Sequence, residues 1–502
     1  MTTVNVNEQQ LTKTTFDDKG FFGHPKPLAT LFGVETWERF SFYSVQSILL
    51  FYITYKLSQG GLGLDTTTGK SIAGAYGGMV FLSSIVFAWI SDRVLGREKT
   101  LFVSAIIVMV GHISMAAIHG VPGLIVGLLL IACGGGGVKA SASSMVGSLY
   151  QKGDVRTDSG FSLYYFGINV GAFLGPLIAG WLMQEYGFHW AFAAAAIGMA
   201  LGVAQYVIQR KQLPEVCQVP TNPLAETEKA KARNYALAGV AVAVLIGIFV
   251  GTSSSRLAFF GANISNIIAV VAFIISVILF SMLLTTPKTT DEEKSRVKAF
   301  IPLFISQVAF WALYQQIFTM LPDYVDSKLD RKIFGWEMPA AWVNSISAVY
   351  IIIFAVAFAA MWTKWGEKQP STPAKFAFAN ILMGIAYFLF IPVANVAPHT
   401  APLLWIMFIL LMFCFSELCI SPIGMSVTTR LAPAKFTTIM MALYLLATAI
   451  GTSLAGTIAT FYHSDAANNS PYFVAVGIVS IIVGLFVVVC IPYVKKMMAG
   501  VR

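Results

Sequence analysis

Apolar residues in this chain occur in fourteen runs of about the length that crosses a bilayer, and most charged residues lie between the runs. Such runs predict transmembrane helices, because a helix of roughly 20 apolar residues spans the hydrocarbon layer. The runs cover residues 28–55, 70–91, 100–119, 122–149, 159–184, 189–209, 235–253, 263–286, 299–321, 338–363, 375–395, 401–428, 436–462 and 471–494. The polar stretch 1–20 has no hydrophobic core of its own, so we expect no cleavable signal peptide.

The charged residues indicate an orientation. Only 11% of the 502 residues are charged and 57% are apolar, whereas soluble domains carry about 25% charged residues. Most of the 33 lysines and arginines fall in alternate connecting segments, which predicts that those segments and both termini are cytoplasmic. The segments predicted to lie outside hold Lys56, Lys70, Arg256, Lys328, Arg331 and Lys332. Because the basic residues are scattered over many loops, the net charge of +9 indicates topology and not a nucleic-acid site.

Two charged segments divide the runs into groups of six, two and six. This predicts an all-α membrane protein with two six-helix bundles and an inserted two-helix hairpin, similar to the major facilitator fold. The predicted divisions are a cytoplasmic segment 1–27, a bundle 28–209, a linker 210–234, a hairpin 235–286, a linker 287–298, a bundle 299–494 and a tail 495–502. The loop 91–97 (SDRVLGR) resembles the signature loop of that superfamily, in which charges latch neighbouring helix ends.

The first apolar run contains a stripe of polar residues at helical spacing. Glu35, Glu38 and Arg39 share one helix face, which Tyr43 and Gln46 extend. A charged group in mid-bilayer costs about 2.5–3.5 kcal/mol even on lenient scales, so this face cannot contact lipid. The stripe therefore predicts a polar cavity between helices, which is typical of a pathway for a solute or a proton.

Other chemistry has little support in the sequence. The 5 cysteines and 6 histidines are scattered and show no metal-ligand spacing or disulfide framework. No nucleophile–base pair, metal motif or phosphate-binding loop is present. We therefore expect no enzyme activity, no metal and no cofactor.

Three sequence motifs resemble those of one particular family of membrane proteins. They are the first-run motif EXXERFSFY at 35–43, the motif YYFGINVG at 164–171 and the motif ELCISPIG at 417–424. Together they resemble motifs of the proton-coupled oligopeptide transporter (POT) family, whose bacterial members also have two additional spans between their bundles. The resemblance implies a proton-coupled symporter of di- and tripeptides that works by alternating access. It also implies a multi-pass protein of a bacterial plasma membrane, which we expect to act as a monomer with peptide, protons and lipid as its partners.

A di- or tripeptide is a zwitterion, so it requires a cationic and an anionic site at a limited separation. The resemblance assigns Arg39 and Lys139 to the peptide carboxylate, and Glu417 with Asn169 to the amine. It places the remaining pocket residues at Tyr43, Phe81, Trp311, Tyr314, Ser347 and Tyr444. The possible proton carriers are Glu35, Glu38 and Glu417.

Two gates are predicted from depth and resemblance. Lys139 and Glu417 lie about 4–6 Å to the cytoplasmic side of their span midpoints, and we expect them to form a cytoplasmic gate; a permanent ion pair is the alternative. Gln46 and Gln315 lie about 6–9 Å to the outer side, at positions where many relatives have Arg and Glu. We expect these two amides to form a weak, uncharged outer gate, so that the resting protein favours the outward-open state.

Several alternatives remain open at this stage. Departures from the family at Gln46, Gln315 and Ser347 are compatible with a transporter of another small carboxylate or of a modified peptide. A membrane sensor that binds peptide without moving it is a different class of protein. A proton/drug antiporter is less favoured, because it would not require the cations Arg39 and Lys139.

Overall fold

The structure is a computed structural model of the chain. It describes all residues other than 1–17, 152–153, 155, 226, 232, 235–237, 240, 242–244, 246–248, 250–252 and 499–502. Most of the predicted run 235–253, most of the N-terminal segment 1–27 and the end of the tail therefore lie outside the described residues.

The described residues form long α-helices and one very short hairpin. The first helices are α1 (Pro27–Thr54), α2 (Thr66–Ile90), α3 (Arg97–Ala117), α4 (Gly120–Gly147), α5 (Thr157–Tyr186), α6 (Phe188–Gln209) and α7 (Ser254–Thr285). They are followed by α8 (Asp291–Tyr314), α9 (Leu321–Lys328), β1 (Lys332–Ile333), β2 (Trp336–Glu337), α10 (Trp342–Trp365), α11 (Thr372–Phe388), α12 (Leu403–Leu431), α13 (Thr437–Ala459) and α14 (Ser470–Met497).

The helices confirm the membrane prediction. Among the described residues, 12 helical segments are long and apolar enough to cross a bilayer. With 28 residues, α1 is also long enough, but it contains the charged stripe and is not among the 12. The all-α prediction is confirmed, and the long helices overlap the predicted apolar runs. The largest differences are at α7, which begins at Ser254 before the run 263–286, and at α8, which begins and ends before the run 299–321 does. The short helix α9 begins at the last residue of that run.

Two helices begin earlier than predicted because polar side chains cap them. Asp65 accepts hydrogen bonds from the backbone N–H and the hydroxyl of Thr68, at 2.8 and 2.6 Å, so that α2 begins at Thr66. Thr290 and Glu293 form a reciprocal capping box at the start of α8. The predicted linker 287–298 is therefore helical from Asp291 onwards.

The chain divides into two compact units. Unit 1 comprises Met1–Val45 and Ser83–Phe260, and unit 2 comprises Gln46–Leu82 and Gly261–Arg502. Both α1 and α2 are thus shared, with one part of each helix in each unit. The predicted bundle boundaries, which keep both helices whole in the first bundle, stay a prediction.

The signature loop of unit 1 binds neighbouring chain segments. Arg97 donates a 2.6 Å hydrogen bond from Nη1 to Ser148 Oγ at the end of α4, which is the kind of latch that the resemblance implies. The segment after α6 also docks on this loop: the Asn222 N–H donates to the Asp92 carbonyl at 2.9 Å, and the Thr221 hydroxyl donates to the Asp92 carboxylate at 3.1 Å. The loop is therefore held by both a helix end and the following linker.

Candidate functional site

The polar stripe of α1 is a buried ion cluster in unit 1. Arg39 Nε lies 3.0 Å from Glu35 Oε1 and 2.6 Å from Glu38 Oε2. Glu35, Glu38 and Arg39 are only 2%, 1% and 3% exposed. Glu38 contacts Arg39 as a charge pair and not as a well-aligned hydrogen bond, since Glu38 Oε2 has no hydrogen-bonding partner in the part of the chain that the structure describes.

Helix α5 completes this cluster and packs very closely on α1. The Tyr164 hydroxyl donates a 2.7 Å hydrogen bond to Glu35 Oε2. A Cβ atom on Gly171 would lie 2.4 Å from the Thr36 carbonyl oxygen and 2.8 Å from Arg39 Cβ. The glycine of the motif at 164–171 is therefore required for α5 to approach the charged turn of α1. Tyr164 is the first residue of the motif at 164–171, but the motif alone predicted no role for it.

We predict that Tyr164→Phe reduces uptake driven by a pH gradient about tenfold, because a hydrogen bond to a charged group contributes about 1.5–3 kcal/mol. The measurement is uptake of a labelled dipeptide into vesicles. Tyr186→Phe, at an exposed position on the same helix, is the matched control and should transport normally. Equal uptake by the two variants would contradict the role assigned to Tyr164.

The Arg39 guanidinium has one nitrogen, Nη2, that could donate hydrogen bonds to a ligand. Its Nη2 is buried and has no hydrogen-bonding partner among the described residues. Its Cζ lies 5.4 Å from the centroid of the Phe42 ring, so the residue that replaces a family tyrosine supports the cation through its π face. Lys139 on α4 is an electrostatic neighbour of Arg39 and Glu38. The two predicted cations therefore belong to one charged region of unit 1.

Unit 2 brings together three of the predicted site residues. Glu417 on α12 is 9% exposed, and Tyr314 on α8 lies within hydrogen-bonding reach of its carboxyl group. Glu417 Oε2 is buried without a hydrogen-bonding partner in the described chain. Tyr444 on α13 is an electrostatic neighbour of Glu417 and donates a 3.2 Å hydrogen bond to the Ser421 carbonyl. This is an acidic, aromatic site with an unused carboxylate oxygen.

The remaining predicted residues have less direct connections. Asn169 on α5 donates a 2.9 Å hydrogen bond to the carbonyl of Tyr165, in its own helix. The Trp311 ring lies 5.6 Å from the Tyr314 ring, next to Glu417. The Tyr43 ring contacts the Phe42 ring at 5.1 Å. Phe81 on α2 and Ser347 on α10 belong to unit 2, where Ser347 is buried.

The predicted outer gate does not form its hydrogen bond in this structure. Gln46 is 3% exposed, and its Oε1 has no hydrogen-bonding partner among the described residues. Gln315 begins the helical turn that follows α8. The function of this pair as a gate stays a prediction, as does that of Lys139 with Glu417.

A charged contact that the sequence reasoning missed lies at the end of α2 that begins at Thr66. Lys70 was counted with the residues predicted to lie outside, and that orientation stays a prediction; in the structure Lys70 is inside α2 and 1% exposed. Its Nζ donates 2.6 Å hydrogen bonds to Asp323 Oδ2 on α9 and to the Tyr462 carbonyl after α13. Tyr55, just after α1, donates a 2.9 Å hydrogen bond to Asp326 Oδ1. At this end of unit 2, charged and polar contacts therefore join α9 to α2 and to the residues just after α1, and they join α2 to the residues just after α13.

Small residues pack α2 against α13 below this contact. A Cβ atom on Gly74 would lie 2.5 Å from the Cα of Gly456, and one on Gly78 would lie 2.0 Å from Ser453 Oγ. Backbones that approach so closely leave no opening between these helices. At Gly74 and Gly78, α2 and α13 of unit 2 are therefore in direct contact.

These features define a polytopic membrane transporter. The sequence profile of the POT family matches residues 98–474, and the chain belongs to that family. A crystal structure titled as the peptide transporter POT in complex with sulfate is similar over 99% of this chain and 100% of its own, with a TM-score of 0.91 and 37% identity, which confirms the predicted fold class.

Two relatives extend over almost the whole chain. A Bacillus subtilis protein described as the uncharacterized transporter YclF is 37% identical over 99% of each chain. The di-/tripeptide transporter of Lactococcus lactis subsp. cremoris is 35% identical over 98% of this chain and 100% of its own.

Proposed function

We propose that this protein is a proton-coupled symporter that imports di- and tripeptides by alternating access. The observation that carries the proposal is the buried cluster of Glu35, Glu38 and Arg39, in which one guanidinium nitrogen has no partner among the described residues. The similarity to a di-/tripeptide transporter along the full chain supports the substrate class.

Charge balance explains how this cluster couples peptide to protons. With all groups ionised, the charges of Glu35, Glu38, Arg39 and Lys139 sum to zero. A peptide carboxylate that binds Arg39 adds a negative charge to a buried site, where an unpaired ion is costly. A proton on Glu35 or Glu38 restores neutrality. Peptide and proton therefore bind together and leave together.

In this proposal, the two ends of the peptide bind to different charged residues. Arg39 and Lys139 receive the carboxylate, because the planar guanidinium of Arg39 suits bidentate binding. Glu417, beside Tyr314, receives the amine through its unpaired Oε2. The aromatic residues around Glu417 then accommodate varied side chains.

We predict that Arg39→Lys loses at least about nine-tenths of transport although the charge is kept, because Lys cannot reproduce the bidentate geometry. The same assignment predicts that peptides amidated at the C-terminus compete poorly with a labelled dipeptide. Uptake into vesicles with an imposed pH gradient measures both effects.

The matched control for this variant is Arg296→Lys. Arg296 contacts Glu292 through one nitrogen only, Nη2, at 2.6 Å in an exposed pair outside the cluster, so a cation without fork geometry is sufficient there. Strong competition by amidated peptides, or normal uptake by Arg39→Lys, would exclude Arg39 as the carboxylate site.

Membrane placement and gating form the second part of the proposal. We propose a bacterial plasma membrane with both termini in the cytoplasm, as the Lys/Arg distribution predicts, and a monomer as the working unit. Lys139 and Glu417 act as the cytoplasmic gate, which is closed when peptide is admitted from outside. Catalysis has no part in this cycle.

One specific observation favours a second candidate, a transporter of another small carboxylate or of a modified peptide. The family positions at Gln46, Gln315 and Ser347 have lost charge or size, and Gln46 Oε1 lacks a hydrogen-bonding partner among the described residues. A panel of dipeptides and small amino-carboxylates, assayed for uptake and for binding, separates this candidate from the first. Binding without uptake would instead indicate a sensor.

A further inference from the structure

The connection between α9 and α10 is a β-hairpin that no step of the proposed transport cycle uses. Its strands pair antiparallel, with Lys332 opposite Glu337 and Ile333 opposite Trp336. The two turn residues, Phe334 and Gly335, have φ angles of +49° and +85°. Two consecutive positive φ values are typical of the type I′ turn, which favours Asn-Gly.

Phe334 is an unfavourable residue at this position for two separate reasons. A bulky side chain at positive φ is rare and strained. The ring is also fully exposed, so the hairpin presents apolar surface that the rest of the described chain does not cover. An asparagine would remove both costs. The turn therefore suits an environment outside the protein in which the aromatic ring is buried.

The hairpin is amphipathic. Because side chains alternate across a strand, Ile333 and Trp336 share one face and Lys332 and Glu337 share the other. Trp336 is 44% exposed even though its ring lies 5.2 Å from that of Trp342. Phe334 adds a further exposed aromatic ring at the tip.

The base of the hairpin is fixed. Arg331 and Met338 exchange hydrogen bonds across it: the Met338 N–H donates to the Arg331 carbonyl at 2.9 Å, and Arg331 Nη1 donates to the Met338 carbonyl at 3.0 Å. The Asp330 N–H donates to the Ala401 carbonyl at 2.9 Å, just before α12. The tip is therefore presented at a set position, close to the ends of three membrane helices.

The surroundings identify what covers the apolar face. The hairpin directly follows the candidate span that ends at Lys328 and precedes the one that begins at Trp342. Little of this second helix, α10, is buried inside the protein, so its surface faces lipid. Tryptophan is enriched where membrane helices meet the headgroup layer.

We propose that the hairpin 332–337 is a membrane-interface anchor. Its apolar face lies on the bilayer leaflet at the N-terminal end of α10, and the Phe334 ring inserts below the headgroups. The anchor fixes the ends of α9 and α10 at the membrane surface. This proposal does not depend on the transported substrate.

Photocrosslinking of the full chain tests the anchor. Phe334→benzoylphenylalanine and, as the matched control on the polar face of the same hairpin, Lys332→benzoylphenylalanine are reconstituted in nanodiscs of phosphatidylethanolamine and phosphatidylglycerol. After illumination, intact mass measurement is expected to show lipid adducts at least fivefold more abundant at position 334 than at 332. Equal adduct yields, no lipid adduct at 334, or a crosslink to a second copy of the chain would each overturn the proposal.

Discussion

Replacing Glu35 and Glu38 together with glutamine is expected to abolish accumulation of a labelled dipeptide against its gradient while counterflow exchange continues. In the wild type, a peptide carboxylate on Arg39 requires a compensating proton on one of the two acids. The double variant retains the buried cations Arg39 and Lys139 without any acid beside them. Peptide can then bind and exchange with no proton, so the pH gradient no longer drives it.

Counterflow is the internal control in this experiment, because it shows that the double variant folds, binds peptide and changes conformation. Its rate should also depend less on pH than that of the wild type, because the two acids of the cluster are gone. The single variants Glu35→Gln and Glu38→Gln then show which acid carries the proton. Accumulation of peptide by the double variant would mean that the proton carrier lies elsewhere, with Glu417 as the first candidate.

The helical architecture could be predicted from the sequence because the bilayer imposes it. Each apolar run must form a helix, since no other open structure satisfies its backbone polar groups in lipid. Two of the boundary errors occur at helix starts, where one capping side chain changes the boundary. Asp65 moves the start of α2 before Lys70, and the Thr290–Glu293 box moves that of α8 into the predicted linker.

The charged cluster of α1 was predictable for a related reason. Three ionisable residues within one helical turn of a membrane span require partners, and their spacing places them on one face. The distances between helices, however, cannot be read from the sequence. Tyr164 contacts Glu35 only because glycines of α5 permit close approach to α1. A single sequence gives no signal that pairs a tyrosine with a glutamate 129 positions away.

The outer contact is where the sequence reasoning was most incomplete. It identified a neutral pair, Gln46 and Gln315, and expected a weak outer gate for that reason. The structure instead contains the ion pair of Lys70 and Asp323, with a distance of 2.6 Å and side-chain exposures of 1% and 14%. Lys70 is the first residue of the predicted run 70–91, and nothing in the sequence shows that this lysine is buried with an acidic partner.

Lys70→Ala is therefore expected to shift the protein towards an outward-open state, contrary to the expectation that this state already dominates. Removing one member of a buried ion pair leaves an unpaired charge, which costs about 3–5 kcal/mol. That cost applies while the outer contact is closed and is relieved when Asp323 reaches water. Gln46→Ala should have little effect, because Gln46 is uncharged and its Oε1 has no hydrogen-bonding partner among the described residues.

Spin labels at the exposed positions Ser58 and Ala467, which lie after α1 and after α13 of unit 2, measure this shift as an increase in distance. The double variant Lys70→Ala/Asp323→Ala should shift the distance less than Lys70→Ala alone, because it leaves no lone charge to desolvate. If Lys139 and Glu417 form the cytoplasmic gate, Lys139→Ala should move the distribution in the opposite direction, since each ion pair stabilises a different state of the cycle. A distance that stays unchanged in Lys70→Ala would show that the close packing of α2 on α13 holds this end shut without the ion pair.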